Sequence, residues 1–137
     1  MRRAALISGI VLLAGCGGGD EADPEDAVAG AVRQYTSAFA DGDLDKACGL
    51  LTERGRTQAI EGGKDFGLAT CEAVLKQGRS SLTKQQLDGF RRASVTKVKI
   101  TGGRASATLT AKFDGATPGP IRLRRENGAW RIDQDAS

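Results

Sequence analysis

The sequence of 137 residues contains no histidine, and that absence excludes more than any single motif adds. Imidazole is the usual general base near neutral pH, the partner of nucleophilic serine and cysteine, and the commonest zinc ligand. Familiar hydrolytic chemistry is therefore not expected, and neither is a metal site or a cofactor. Aromatic residues are scarce at 4%, with one tryptophan, one tyrosine and four phenylalanines, so a core must be built largely from small aliphatic side chains. The apolar stretch from Ala4 to Ala14 falls well short of the about 20 residues that a membrane-spanning helix needs.

What is present fits a single domain: 39% hydrophobic and 27% charged residues describe a globular chain with room for one core. The formal charge of +3 hides an asymmetry. Five acids (Asp20, Glu21, Asp23, Glu25, Asp26) crowd one segment, and from Ala27 onward eighteen Lys and Arg stand against twelve Asp and Glu, a net of +6. A basic domain behind an acidic leader suits a position near anionic headgroups or acidic partners, although solubility alone also explains it.

Arg2 and Arg3, the apolar stretch and then Leu13-Ala14-Gly15-Cys16 follow the order of an export signal. The Leu-Ala-Gly-Cys run resembles the lipobox of bacterial prolipoproteins. That resemblance implies cleavage before Cys16, lipidation of its thiol and a domain held by its acyl chains on the extracytoplasmic side of the cell membrane; an ordinary secretory signal is the alternative. Two or three chains, at about 0.8 kcal/mol per buried methylene, make such an anchor lasting. The expected organisation is a signal peptide over 1–15, a lipidated cysteine with a flexible tether over 16–22, and an α+β domain over 23–137. The tether reaches at most about 25 Å when extended, so the domain would work close to the membrane. Residues Ala4-Ala5-Leu6 fit twin-arginine export poorly, which favours general secretion.

Asp23-Pro24-Glu25-Asp26 has the form of a helix start, and Val28, Val32, Tyr35 and Phe39 recur on one helical face until Asp41-Gly42. Asp43 caps a shorter helix with a stripe of Leu44, Ala47, Cys48 and Leu51. A further helical turn or two is expected within 53–63, then a helical stripe of Leu68, Cys71, Val74 and Leu75 ending near Gly78, and a loop with some helix from Ser81 to Phe90. The second half changes period. Lys97 to Thr101 alternates, Gly102-Gly103 makes a tight turn, and Ala105, Ala107, Leu109, Ala111 and Phe113 alternate with polar residues. After a Pro/Gly loop, Ile121 and Leu123 alternate with Arg122 and Arg124, Asn127-Gly128 favours a type I′ turn, and Trp130 and Ile132 lie on a closing strand. Helices first and an antiparallel meander afterwards make an α+β domain.

With Cys16 assigned to lipid, two cysteines remain, Cys48 and Cys71, both on apolar helix faces in an oxidising compartment. A disulfide between them is expected; two buried thiols acting as small hydrophobes are the alternative.

The opening helix, the run Asp41-Gly42-Asp43-Leu44-Asp45-Lys46-Ala47-Cys48, and the closing Leu123 to Asp133 with Asn127-Gly128 and Trp130 together resemble extracytoplasmic NTF2-like (SnoaL-like) lipoproteins. The resemblance implies helices laid across a strongly curved sheet in a cone, often with a cavity and often as a homodimer. It implies either isomerase or dehydratase chemistry, or non-catalytic binding and protein interaction. Catalytic members use a His-Asp or Tyr-Asp arrangement in the cavity. Here Tyr35 is expected in the core, Asp88, Asp114 and Asp133 are expected to be solvated, and no catalytic residue is carried over.

Lys97, Lys99, Arg104, Lys112, Arg122, Arg124 and Arg131 fall on the polar phase of their strands, so one face of the sheet is expected to be cationic. A solvated outer face accounts for this, and contact with anionic lipid, cell-wall polymer or an acidic partner is the sharper reading. Nucleic acid is excluded as a partner by location and by the lack of stacking aromatics. The favoured function is a membrane-anchored, non-catalytic module that binds a small apolar ligand or an envelope protein. A pocket enzyme using a carboxylate and a structural envelope protein are the alternatives.

Overall fold

The computed structural model describes residues 23–133. The expected signal segment, the expected lipidation site Cys16 and the expected tether lie outside these residues. No helix among the described residues is long and apolar enough to cross a membrane.

Helix α1 (Pro24–Asp41) begins where the sequence places it, with the Asp23 side chain accepting from the Glu25 N–H at 3.1 Å and acids in the first turn. It ends on Gly42, whose φ of 79° is the left-handed cap conformation. The last carbonyls of α1 are met by arginines from distant segments. Arg79 donates to Phe39 O and Ala40 O, and Arg91 donates to Ala40 O while pairing with Asp41 and Asp88. Helix α2 (Leu44–Gly49) is capped by Asp43. Helix α3 spans Glu53–Gly63, eleven residues rather than a turn or two, because Thr52 caps its start. A 3₁₀ turn over Lys64–Phe66 follows, and Leu68 lies outside helix α4 (Cys71–Ser80), which starts at the Thr70 cap. Where a loop with some helix was expected, α5 (Lys84–Arg91) forms. Thr83 and Gln86 make a reciprocal capping box that offsets its weak apolar pattern.

Strands β1 (Ser94–Thr101), β2 (Arg104–Thr110), β3 (Gly119–Glu126) and β4 (Ala129–Ile132) form one antiparallel sheet in the order β1-β2-β3-β4. Asn127 (φ 51°) and Gly128 (φ 80°) are both left-handed, as a type I′ turn requires. The expected alternation from Lys97 onward fails at its first residue. Lys97 has φ 53° and sits in a bulge, where the pairing slips between Thr96↔Thr108 and Lys99↔Ser106. The extra residue keeps Val95, Val98 and Ile100 together against the core and bends the strand. Strand β2 is also shorter than expected. Beyond Thr110 the chain leaves the sheet for α5, with Lys112 N–H donating to Gly89 O at 3.1 Å.

The strand-like segment Leu50–Thr52 adds a parallel partner beside β4: Ile132 N–H donates to Leu50 O and Thr52 N–H donates to Ile132 O, each at 2.8 Å. The core between α1, α2 and the sheet holds Val28, Val32, Ala47, Leu51, Leu123 and Ile132, small aliphatics as the composition requires. Cys48 and Cys71 are bonded, joining α2 to α4. Arg125 lies over the Trp130 ring, 5.4 Å from its centroid.

Candidate functional site

Four of the six aromatic side chains in the sequence meet at one place. Tyr35 and Phe39 of α1 lie 6.5 Å apart, Phe39 and Phe90 6.0 Å, and Phe90 and Phe113 6.0 Å between ring centroids, the last two pairs in edge contact. They form one wall of a cavity of about 670 Å³ between α1, α3 and the sheet. Leu109, Ala111 and Ile121 supply most of the apolar floor, and Gly119, Pro120 and the 116–117 segment complete its side. A volume of this size and a mainly apolar lining match the usual dimensions of a small-molecule pocket.

The approach that shapes this wall depends on Gly89. A Cβ at this position would lie 2.4 Å from Phe113 Cδ1 and 3.2 Å from the Lys112 backbone. With hydrogen there instead, the segment after β2 closes on α5 and Phe113 turns against Phe90.

Polar groups in the cavity are few: Tyr35, Thr36, Gln58, Arg122 and Asp133, with Thr117 at the side. Tyr35, expected in the core, packs partly against it and also faces the cavity; burial pushes its hydroxyl pKa up to about 12. Asp133, expected to be solvated, is buried at 8% exposure. Its Oδ1 accepts from the Thr52 hydroxyl at 2.8 Å, and Arg124 Nε lies 3.6 Å from Oδ2, an ion pair without a hydrogen bond. The backbone explains the burial, because Asp133 N–H still pairs with Arg122 O and holds the residue inside the sheet's end. Gln58 Oε1 is buried with no hydrogen-bond partner among the described residues. Asp114 is exposed as expected, and Asp88 is half-exposed and paired with Arg91.

Five of the basic positions share one face of the sheet in two adjacent cross-strand rows. Lys99 and Arg122 flank Ser106 in one cross-strand row, and Arg104, Arg124 and Arg131 form a second. Arg131 also donates to Gly49 O. Lys97 is exposed at the bulge, outside the alternation, and exposed Lys112 lies beyond the end of β2; neither belongs to these rows. A polar recess of about 100 Å³ adjoins the cavity, sharing Arg122 and Asp133 with it and lined by Arg54, Arg104 and Arg124. No cluster of metal-ligating side chains occurs among the described residues.

Sequence reasoning missed Gln58, Phe90 and Phe113 as cavity residues, because their convergence depends on tertiary contacts between α3, α5 and the segment after β2. The Thr52-x-x-Gly55 start of α3 carried a cap signal that would have fixed one end of the site.

No family model matches the sequence, and no curated protein does. Among solved structures, one described as an NTF2-like transpeptidase from Campylobacter jejuni matches over 83% of this chain and all of that one, with a TM-score of 0.53 at 14% identity. The fold is therefore NTF2-like, an α+β arrangement of helices on a curved antiparallel sheet. At that identity the likeness extends to the fold and not to the activity.

Proposed function

We propose that this chain is a non-catalytic binding module, carried outside the cell membrane on a lipid attached to Cys16, whose NTF2-like cavity takes a small apolar ligand. The observation that carries the reading is the concentration of four scarce aromatic rings on the wall of a 670 Å³ cavity. A core this poor in aromatics gains more from filling its centre with them than from lining a void, so their placement fits a ligand that completes the packing.

Two features weigh against a pocket enzyme. Asp133 is held by Thr52 and faces Arg124, contacts that commit it as a structural tie between α3 and the end of the sheet. The Tyr35 hydroxyl, with its pKa near 12, stays protonated at neutral pH and can donate a hydrogen bond but not abstract a proton. The open cavity likewise weighs against a purely structural protein packed solid with its own side chains.

Native mass spectrometry of the mature chain, gently released from its own envelope in detergent, tests the proposal. A bound small molecule, lost in the Ile121→Trp variant that fills the cavity, is the expected result; a bare chain overturns the ligand reading. The same spectrum is expected to carry the acyl mass on Cys16, and Cys16→Ser is expected to move the protein out of the membrane fraction.

The cross-strand row of Arg104, Arg124 and Arg131, with Lys99 in the adjacent row, favours a second contact, with anionic headgroups within the tether's reach. Reversing Arg104 and Lys99 to Glu is expected to weaken sedimentation with vesicles rich in phosphatidylglycerol. Unchanged sedimentation removes this contact.

A further inference from the structure

The polar recess beside the cavity is built from three separate segments. Arg104 of β2 stands directly across from Arg124 of β3 in one cross-strand row, and Arg122 belongs to the next row. Arg54 comes from the first turn of α3, brought there by Thr52, which caps that helix and donates to Asp133. Arg131 shares the row of Arg104 and Arg124 but donates to Gly49 O and does not line the recess. Both placements are unfavourable in isolation. Like charges directly opposite on neighbouring strands destabilise a sheet, and a cation in the first turn of a helix opposes the positive end of its dipole.

The one acid among the described lining residues is Asp133, whose Oδ1 is taken by Thr52 and whose Oδ2 lies 3.6 Å from Arg124 Nε. Glu126, on the same face of the sheet, is engaged by the Glu53 N–H instead. Four guanidiniums against one carboxylate leave the lining with an excess of three positive charges. Arg54 and Arg122 each have an interaction within the chain, and a guanidinium carries five N–H donors, so one engaged edge leaves others for a ligand. Arg54, Arg104 and Arg122 are exposed and Arg124 is half-buried, which keeps the recess open to solutes.

At about 100 Å³ the recess is well below the about 300–1,000 Å³ of sites that enclose a whole ligand, so it takes one group of a larger molecule. Planar guanidiniums match phosphate oxygens in pairs. A phosphomonoester offers three terminal oxygens and about −1.5 to −2 of charge at neutral pH, whereas a diester offers two and a single charge.

We infer that Arg54, Arg104, Arg122 and Arg124 form a site for a phosphomonoester group, borne by a lipid or by a soluble phosphate ester, and prefer it to a phosphodiester. The inference rests on the reading of this face as an anion contact and adds which anionic group enters it.

Two pairs of probes separate the outcomes when titrated calorimetrically into the full chain in dodecyl maltoside at neutral pH. The salt is about 0.15 M, where exposed charges more than about 8 Å apart are largely screened. Glycerol 3-phosphate and glycerophosphoglycerol are the soluble monoester and diester, and phosphatidic acid and phosphatidylglycerol are their counterparts in mixed micelles. The monoester is expected to bind about ten-fold tighter than its diester. A preference shown by the soluble pair makes a free phosphate ester sufficient, and one confined to the micellar pair identifies a lipid source. Arg104→Gln and Arg54→Gln are each expected to bring the preference within about three-fold. Lys112→Gln removes the same charge from outside the recess and both rows, and is expected to leave the preference unchanged. An equal loss in Lys112→Gln overturns the inference, because net charge then explains the preference. Equal binding within both pairs also overturns it while leaving the headgroup contact in place, and failure of every probe to bind overturns that contact as well. The probe order in the unaltered chain decides the matter even where an arginine variant fails to fold.

Discussion

Thr52 donates its hydroxyl to Asp133 Oδ1 at 2.8 Å and accepts from the Gly55 N–H at 2.9 Å, so one fully buried side chain ties the start of α3 to the end of the sheet. The two residues are 81 positions apart, and the contact fixes where α3 runs relative to the cavity it helps to line.

Thr52→Ala removes the helix cap and leaves a buried carboxylate short of a donor. The cap contributes about 1 kcal/mol and the orphaned acceptor about 1–3 kcal/mol, so a loss of about 2–4 kcal/mol is expected in urea unfolding. Thr52→Ser keeps both hydrogen bonds and is expected to cost less than about 1.5 kcal/mol for the lost methyl group. Similar midpoints for the two variants would show that the hydroxyl is not what holds this junction.

Gly89→Ala and Gly30→Ala are expected to act in opposite directions although both glycines are helical. A methyl at Gly89 runs into Phe113 and the Lys112 backbone, an overpacking that costs about 1–3 kcal/mol and displaces a cavity ring. At Gly30, within α1, a Cβ meets nothing within 4 Å, and the better helix former is expected to add about 0.5–1 kcal/mol. Thermal melts of the two variants check the sign of each effect.

The Cys48–Cys71 bond closes a loop of 23 residues between α2 and α4. In the chain-entropy account its loss is expected to cost about 3 kcal/mol, a large share for a small domain. The Cys48→Ala/Cys71→Ala double variant is expected to melt where the reduced parent melts and to be indifferent to reductant. A parent whose melting does not respond to reductant contradicts this.

Tyr35 provides the pH dependence, and as the only tyrosine it can be followed directly by its ultraviolet absorbance. Its pKa rises from 10 in the unfolded chain to about 12 in the fold, because burial disfavours the phenolate. The associated stability is fully present below pH 10 and is lost as pH rises toward 12, at about 1.4 kcal/mol per pH unit. Tyr35→Phe is expected to abolish that alkaline decline. An absorbance midpoint near 10 in the folded protein would place the hydroxyl in water instead.

Elements governed by local signals were legible before the structure. The cap at Asp23 and the spacing of Val28, Val32, Tyr35 and Phe39 mark α1 to within a residue, and Asn127-Gly128 marks its turn. The disulfide followed from the cysteine count and from the compartment that the lipobox resemblance implies. Features set by distant partners were not legible. Asp133 has the sequence context of a solvated strand end, and only Thr52 and the pairing with Arg122 draw it inside. The bulge at Lys97 was visible only as the three-residue spacing from Val95 to Val98, which reads as noise until β2 supplies the register. The cavity was invisible because its rings come from α1, α5 and the segment after β2, a convergence that no spacing encodes.

The two borders of the sheet are unequal, and this bears on how copies of the chain can meet. At β4 the border is taken by the chain itself, since Leu50–Thr52 occupies the hydrogen-bonding groups of Ile132 on that side. At β1 the open border is interrupted midway by the left-handed Lys97 and carries the charges of Lys97 and Lys99. Bulges and lysines on a border strand prevent an incoming strand from zipping alongside. At high local density, such domains can lie side by side without their sheets fusing into a continuous ribbon, so resistance to fibril growth is built into the same bulge that breaks the register of β1.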